Sequence, residues 1–120
     1  MGKFMVMEND KKQWWFNLEA NNNKTIGTSQ MYTSKSNCEK GINSVIDNCD
    51  ASIVDITQGD SDSGSRYEMF EGSDNQYYFR LIASNGEKIL KSEGYTKKTN
   101  CKNGINSVRD NALNAEIVYK

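Results

Sequence analysis

Histidine is absent from all 120 residues, and so is proline. Without histidine the commonest general base and the commonest metal ligand are both missing, which excludes catalytic triads in their usual form. No Cys-x-x-Cys pair, phosphate-cradling glycine loop or closely spaced carboxylate pair stands in for them, so no catalytic residue, metal or cofactor is expected and the chain reads as a non-enzyme. Cysteine is scarce, and its count of 3 is odd, so no disulfide framework can be read. A reducing compartment follows, with the cysteines serving as small core residues. Long apolar runs are lacking too. The start, from Gly2 to Val6, has neither the length of a membrane span nor the Ser or Thr that a myristoylation signal needs at position 6, which points to a cytoplasmic chain away from membranes. Finally, no excess of one charge is present. Residues 1–60 carry 6 basic and 8 acidic side chains and residues 61–120 carry 9 and 8, which sum to 15 and 16. That balance argues against a binder that neutralises a nucleic-acid backbone.

What the chain does have is itself, twice. Asn37-Cys38-Glu39-Lys40-Gly41-Ile42-Asn43-Ser44-Val45 returns as Asn100-Cys101-Lys102-Asn103-Gly104-Ile105-Asn106-Ser107-Val108, an offset of 63 from Cys38 to Cys101. At that offset Phe16, Leu18, Ala20, Ile26, Ser29, Tyr32 and Thr33 recur unchanged as Phe79, Leu81, Ala83, Ile89, Ser92, Tyr95 and Thr96. Two copies are too few for a solenoid, so they are expected to complete one another as a pseudo-dimer in a single chain. Each copy, at roughly sixty residues, is marginal as an independent core.

Within each copy the hydrophobic period is first 2 and then 3.6. Phe4 and Val6, then Trp14, Phe16, Leu18 and Ala20, alternate with residues such as Trp15, Asn17 and Glu19, as half-buried strands do. Turn chemistry separates them at residues 8–12 and 71–75, and again at Asn21-Asn22-Asn23 and Ser84-Asn85-Gly86, where Asn23 replaces a glycine but still tolerates positive φ. A third strand covers Ile26 to Ser29 and Ile89 to Ser92. Cys38, Ile42, Val45 and Cys49 then form one helical stripe, repeated by Cys101, Ile105, Val108 and Ala112. Ser36 with Glu39 reads as a capping box, and Thr99 as the cap of the second helix. The helix dipole can lower a thiol pKa at Cys38 and Cys101, yet both head the apolar stripe, which favours a structural role. Gly41 and Gly104 lie mid-helix, where glycine costs about 1 kcal/mol against alanine; a close approach of the helix to the sheet or to its twin is expected to offset this. Short apolar runs at Ile53-Val54 and Ile117-Val118 make fourth strands. Thr57 to Ser65 is a polar tether, and its Asp60, Asp62 and Gly64 fail the EF-hand pattern.

The order Gln-aromatic-aromatic-Phe-x-Leu-x-Ala, Asn-Gly, Ile, Ser-Glu-Gly-Tyr-Thr and Asn-Gly-Ile-x-Ser-Val at 76–108 resembles the YegP-like family of uncharacterised tandem-repeat bacterial proteins. Residues 13–45 are a degraded version of the same pattern, departing at Asn23, at Gln30-Met31 and at Lys40. The resemblance covers nearly all of the chain outside the tether. It implies an α+β fold in which two tandem β-β-β-α-β repeats, 1–58 and 66–120 joined by linker 59–65, form one antiparallel sheet with two helices on one face and exchanged last strands. It implies no activity.

With helices on one side only, the other face of the sheet stays wet. Alternation places Trp15, Asn17, Tyr78 and Arg80 there, beside Met5, Met7, Phe70 and Ile82, and these are the candidate binding surface. Lys97, Lys98 and Lys102 form a candidate basic patch at the start of the second helix. Cross-strand pairing and solvated charge are the plainer explanations of each. The functional expectation is a protein-interaction or structural module that is monomeric with internal two-fold symmetry. Binding of single-stranded nucleic acid or a small ligand on the open sheet face is the alternative.

Overall fold

The computed structural model describes residues 2–120. Its elements are β1 (Lys3–Glu8), β2 (Trp14–Glu19), β3 (Thr25–Thr28), α1 (Lys35–Asn48), β4 (Ile53–Asp55), β5 (Arg66–Glu71), β6 (Tyr77–Ile82), β7 (Lys88–Lys91), α2 (Lys98–Ala112) and β8 (Glu116–Tyr119), with a 3₁₀ turn at Ile56–Gln58. Each repeat is therefore β-β-β-α-β. The first hairpin pairs Phe4 with Leu18 and Val6 with Phe16, all four buried; Tyr67 with Leu81 and Met69 with Phe79 repeat the pattern. The second turns reverse direction through positive φ at Asn23 (66°) and at its counterpart Gly86 (88°), as the sequence pattern requires.

All eight strands join one sheet in the order β4-β5-β6-β7-β3-β2-β1-β8. The repeats meet at β7 and β3, where Thr28 pairs with Lys91. Each last strand leaves its own repeat and pairs with the first strand of the other, β4 on β5 and β8 on β1. These two outermost pairs are parallel, which corrects the expectation of an antiparallel sheet throughout; the sheet is mixed. Parallel neighbours need a connection that carries the chain back along the strand, and residues 56–65 provide it between β4 and β5.

Both helices pack on one face. Cys38, Ile42 and Val45 of α1 and Cys101, Ile105, Val108 and Ala112 of α2 share a single core with Phe4, Phe16, Leu18, Tyr67, Met69, Phe79 and Leu81. The seam is filled by one large and one absent side chain at equivalent positions: a Cβ on Gly27 would stand 2.7 Å from Cγ of Leu90. The mid-helix glycines also make room for a neighbour, though a different one from that expected. A Cβ on Gly41 would lie 2.6 Å from Cζ of Tyr32, and one on Gly104 2.8 Å from Cζ of Tyr95, so the partner is a tyrosine of the same repeat rather than the twin helix.

The caps differ from the sequence reading. Ser34 caps α1, its Oγ accepting from the Asn37 N–H at 3.1 Å, and Lys97 stands at the N-cap of α2 with no side-chain cap bond. Glu39 is thereby free of any capping box and accepts instead from the Tyr119 hydroxyl of the exchanged β8.

Candidate functional site on the helix-free sheet face

Strand register places one residue from every strand in a single row across the sheet: Val118, Met5, Asn17, Thr28, Lys91, Arg80, Glu68 and Val54. Alternation turns this row away from the helices, because Phe4, Leu18, Tyr67 and Leu81 beside it belong to the core. The four surface residues read from sequence share that face, yet they do not form one cluster. Trp15 opposes Met7 on β1 and Tyr78 opposes Phe70 on β5, and strands β3 and β7 lie between the two. Ile82 has the same parity but is almost solvent-free at 3% exposure, flanked in the ladder by Arg66 and Lys88.

Most polar groups of the row are satisfied internally. The Thr28 hydroxyl donates to Oδ1 of Asn17 at 2.8 Å. Arg80 pairs with Glu68 at 2.8 Å, a carboxylate that also takes Arg66 at 2.8 Å, and the Arg80 guanidinium lies 4.6 Å from the Phe70 ring centroid. Burial alone would raise the pKa of Glu68, but hydrogen bonds from Arg80 and Arg66 and their charges outweigh it and hold the carboxyl below its ordinary value. The Tyr78 hydroxyl donates to Asp74, while its ring meets Phe70 edge-on at 5.8 Å. Beside this row, at the seam, a cleft of about 730 Å³ opens between Met31 and Thr28 on one side and Phe70, Arg80, Lys88 and Lys91 on the other. Lys88, Lys91 and Met31 were not among the sequence candidates. The signal that finds the two lysines is the comparison of copies, in which Thr25 and Thr28 become Lys88 and Lys91.

The basic patch at α2 is divided. Lys97 and Lys102 are exposed, but Lys98 pairs with the buried Asp55 at 3.2 Å and so ties the exchanged β4 to the other repeat's helix. Its counterpart Lys35 does the same for β8 by other chemistry, lying 4.4 Å from the Tyr119 ring centroid. The cysteines are free and buried, and burial pushes the Cys38 and Cys101 thiols up to about 11, opposite to the lowering that the helix dipole offers. Among the described residues no cluster of His, Cys, Asp and Glu suits a metal ion. Among the described residues no helix is long and apolar enough to cross a membrane.

An internally duplicated α+β chain, with one eight-stranded sheet, two helices on one face and reciprocally exchanged last strands, is the class that this architecture defines. The chain belongs to the family described as domain of unknown function DUF1508, whose model matches residues 9–55 and again 73–118. Among curated relatives it is 37% identical over 117 residues to the UPF0339 protein YegP of Yersinia pestis, covering 98% of this chain and 94% of that one. It is 34% identical over 116 residues to YegP of Escherichia coli K12, covering 97% and 94%. Solution structures of YegP from E. coli (TM-score 0.82, 33% identity, 99% of this chain and 92% of that one) and of a UPF0339 protein from Shewanella oneidensis (0.80, 30%, 98% and 90%) share the fold.

Proposed function

We propose that this chain is a small, non-enzymatic, cytoplasmic interaction module, a pseudo-dimer within one polypeptide that presents the helix-free face of its sheet to a protein partner. The observation that carries this reading is the contrast between the two faces. One is closed by both helices over a continuous core, while among the described residues no α-helix packs on the other, which displays Trp15, Phe70 and Tyr78, all partly exposed. Partly buried aromatic rings beside arginine are the composition of interaction hot spots. The raised thiol pKa values and the want of histidine support a role in binding rather than in chemistry.

The test is affinity capture from native cell extract with three baits: wild type, Trp15→Ala/Tyr78→Ala, and a helix-side control, Lys40→Ala/Lys102→Ala. A protein held by wild type and by the control but lost from the sheet-face variant supports the proposal. Equal retention by all three baits contradicts it.

A further inference from the structure

The seam cleft carries charge that the fold does not require. In the first repeat, three positions of the open face are Asn17, Thr25 and Thr28; in the second, the same three positions are Arg80, Lys88 and Lys91. The strands form equally well with either set, since Asn17 opposes Thr28 as Arg80 opposes Lys91. The first pair closes with a 2.8 Å hydrogen bond. The second sets two cations directly opposite one another, an arrangement that destabilises a ladder. Glu68 neutralises part of this, but it is shared by Arg66 and Arg80, and no carboxylate among the described residues lies within ion-pair distance of Lys88 or Lys91. Glu87 is the one carboxylate lining the cleft. The cleft's lining therefore sets three positive charges, Arg80, Lys88 and Lys91, against one negative.

Repetition supplies the control that a single sheet lacks: an uncharged copy of these three positions, in the same molecule, folds with a satisfied polar pair. Arg80 gains Glu68 across the β5–β6 ladder, but Lys88 and Lys91 gain no such pair, so their compensation lies in what they attract. The cleft's volume of about 730 Å³ falls inside the range of small-molecule sites, roughly 300–1,000 Å³. Its apolar lining is Phe70, Leu90 and the 48%-exposed Met31. The Arg80 guanidinium, already over the Phe70 ring, offers a flat cationic surface beside them.

We propose that this cleft binds a phosphate ester with a flat, largely apolar body, the chemistry of a mononucleotide. Lys88 and Lys91 take the phosphate, and the planar body packs against Arg80 and Met31. The proposal requires the sheet face to be unobstructed, as the preceding reading does, but requires no protein partner. Its test is made on the isolated chain, so its failure would leave the capture result standing.

The experiment is an amide NMR titration of the full chain with AMP, and in parallel with adenosine, inorganic phosphate and a short oligothymidylate. Saturable shifts are expected at Thr28, Arg80, Lys88 and Lys91 with AMP, and binding about tenfold or more weaker for adenosine and for phosphate alone, the worth of roughly one charge-assisted hydrogen bond. Lys88→Thr/Lys91→Thr, which installs the residues that the first repeat already folds with, is expected to keep the amide spectrum of the core and to weaken AMP about tenfold or more. Unsaturable or absent shifts with AMP, or unchanged affinity in the double variant, would overturn the proposal. So would oligothymidylate binding whose shifts centre on Trp15 and bypass Lys88 and Lys91.

Discussion

In the middle of each helix a glycine rests on the phenol of a tyrosine from the link that precedes it, Gly41 on Tyr32 and Gly104 on Tyr95. Each ring in turn stacks on a core phenylalanine, Tyr32 on Phe16 at 6.4 Å and Tyr95 on Phe79 at 6.4 Å. Replacing a mid-helix glycine by alanine ordinarily gains about 1 kcal/mol of helix propensity. Here the new Cβ collides with the ring, and overpacking of this kind costs roughly 1–3 kcal/mol. Gly41→Ala is therefore expected to lower the urea midpoint of unfolding, and a midpoint equal to or above that of wild type would refute the packing argument. The anomaly was legible in the sequence because two glycines interrupted two helical stripes at the same place. Its cause was not, since Tyr32 and Tyr95 fall in links where neither period runs. The cysteines show the converse: their position in the stripe correctly told of burial, and burial prevails over the helix dipole in setting their thiols.

At the scale of elements, the exchanged strands explain a set of contacts that otherwise look unrelated. Asp55 and Tyr119 occupy equivalent sites on β4 and β8, opposite Met69 and Val6, and they receive the equivalent lysines Lys98 and Lys35 from the helix of the other repeat. The end of α1 is held across repeats as well. The buried Tyr67 hydroxyl donates to the Cys49 carbonyl at 2.6 Å, and Arg109 donates to the Ala51 carbonyl at 2.6 Å. Both acceptors are among the carbonyls a helix end leaves unsatisfied or lie just beyond them. Burial alone would raise the pKa of Asp55, but hydrogen bonds from Thr57 and Lys98 and the lysine's charge hold it below its ordinary 3.8. A depressed carboxylate contributes stability that is fully present above the unfolded value and is lost as pH falls through the folded one. Asp55→Asn is accordingly expected to destabilise the chain by roughly 1–2 kcal/mol at pH 7, a hydrogen-bonded charge pair discounted for the exposure of Lys98. The gap should close as pH drops below about 4. Urea midpoints at pH 7 and pH 3 check this, and a gap of constant size would contradict it. Strand count, helix placement and the exchange followed from pattern, repeat and family resemblance together. The parallel direction of β4 and β8 did not, because no hairpin turn ties either strand to its neighbour and runs of three or four residues carry too little alternation to orient them.

For the whole molecule, duplication has yielded a symmetric frame with unsymmetric contents. Gly27 and Leu90 divide one space at the seam, and Asn17/Thr28 and Arg80/Lys91 give one ladder position two electrostatic characters. The surface candidates Trp15, Asn17, Tyr78 and Arg80 were found on the expected face because a period of 2 fixes which side a residue takes. Lys88 and Lys91 escaped notice because charge beside a bulge has no period, and only laying one copy over the other exposes the substitution. The central claim remains that neither repeat can complete its sheet alone: β1 lacks an outer neighbour without β8, and β4 has no partner without β5. Sedimentation equilibrium combined with circular dichroism on a fragment of residues 1–58 tests that claim most directly. The expected result is an unfolded chain or a dimer that rebuilds the seam from two copies; a folded, cooperatively melting monomer would contradict it.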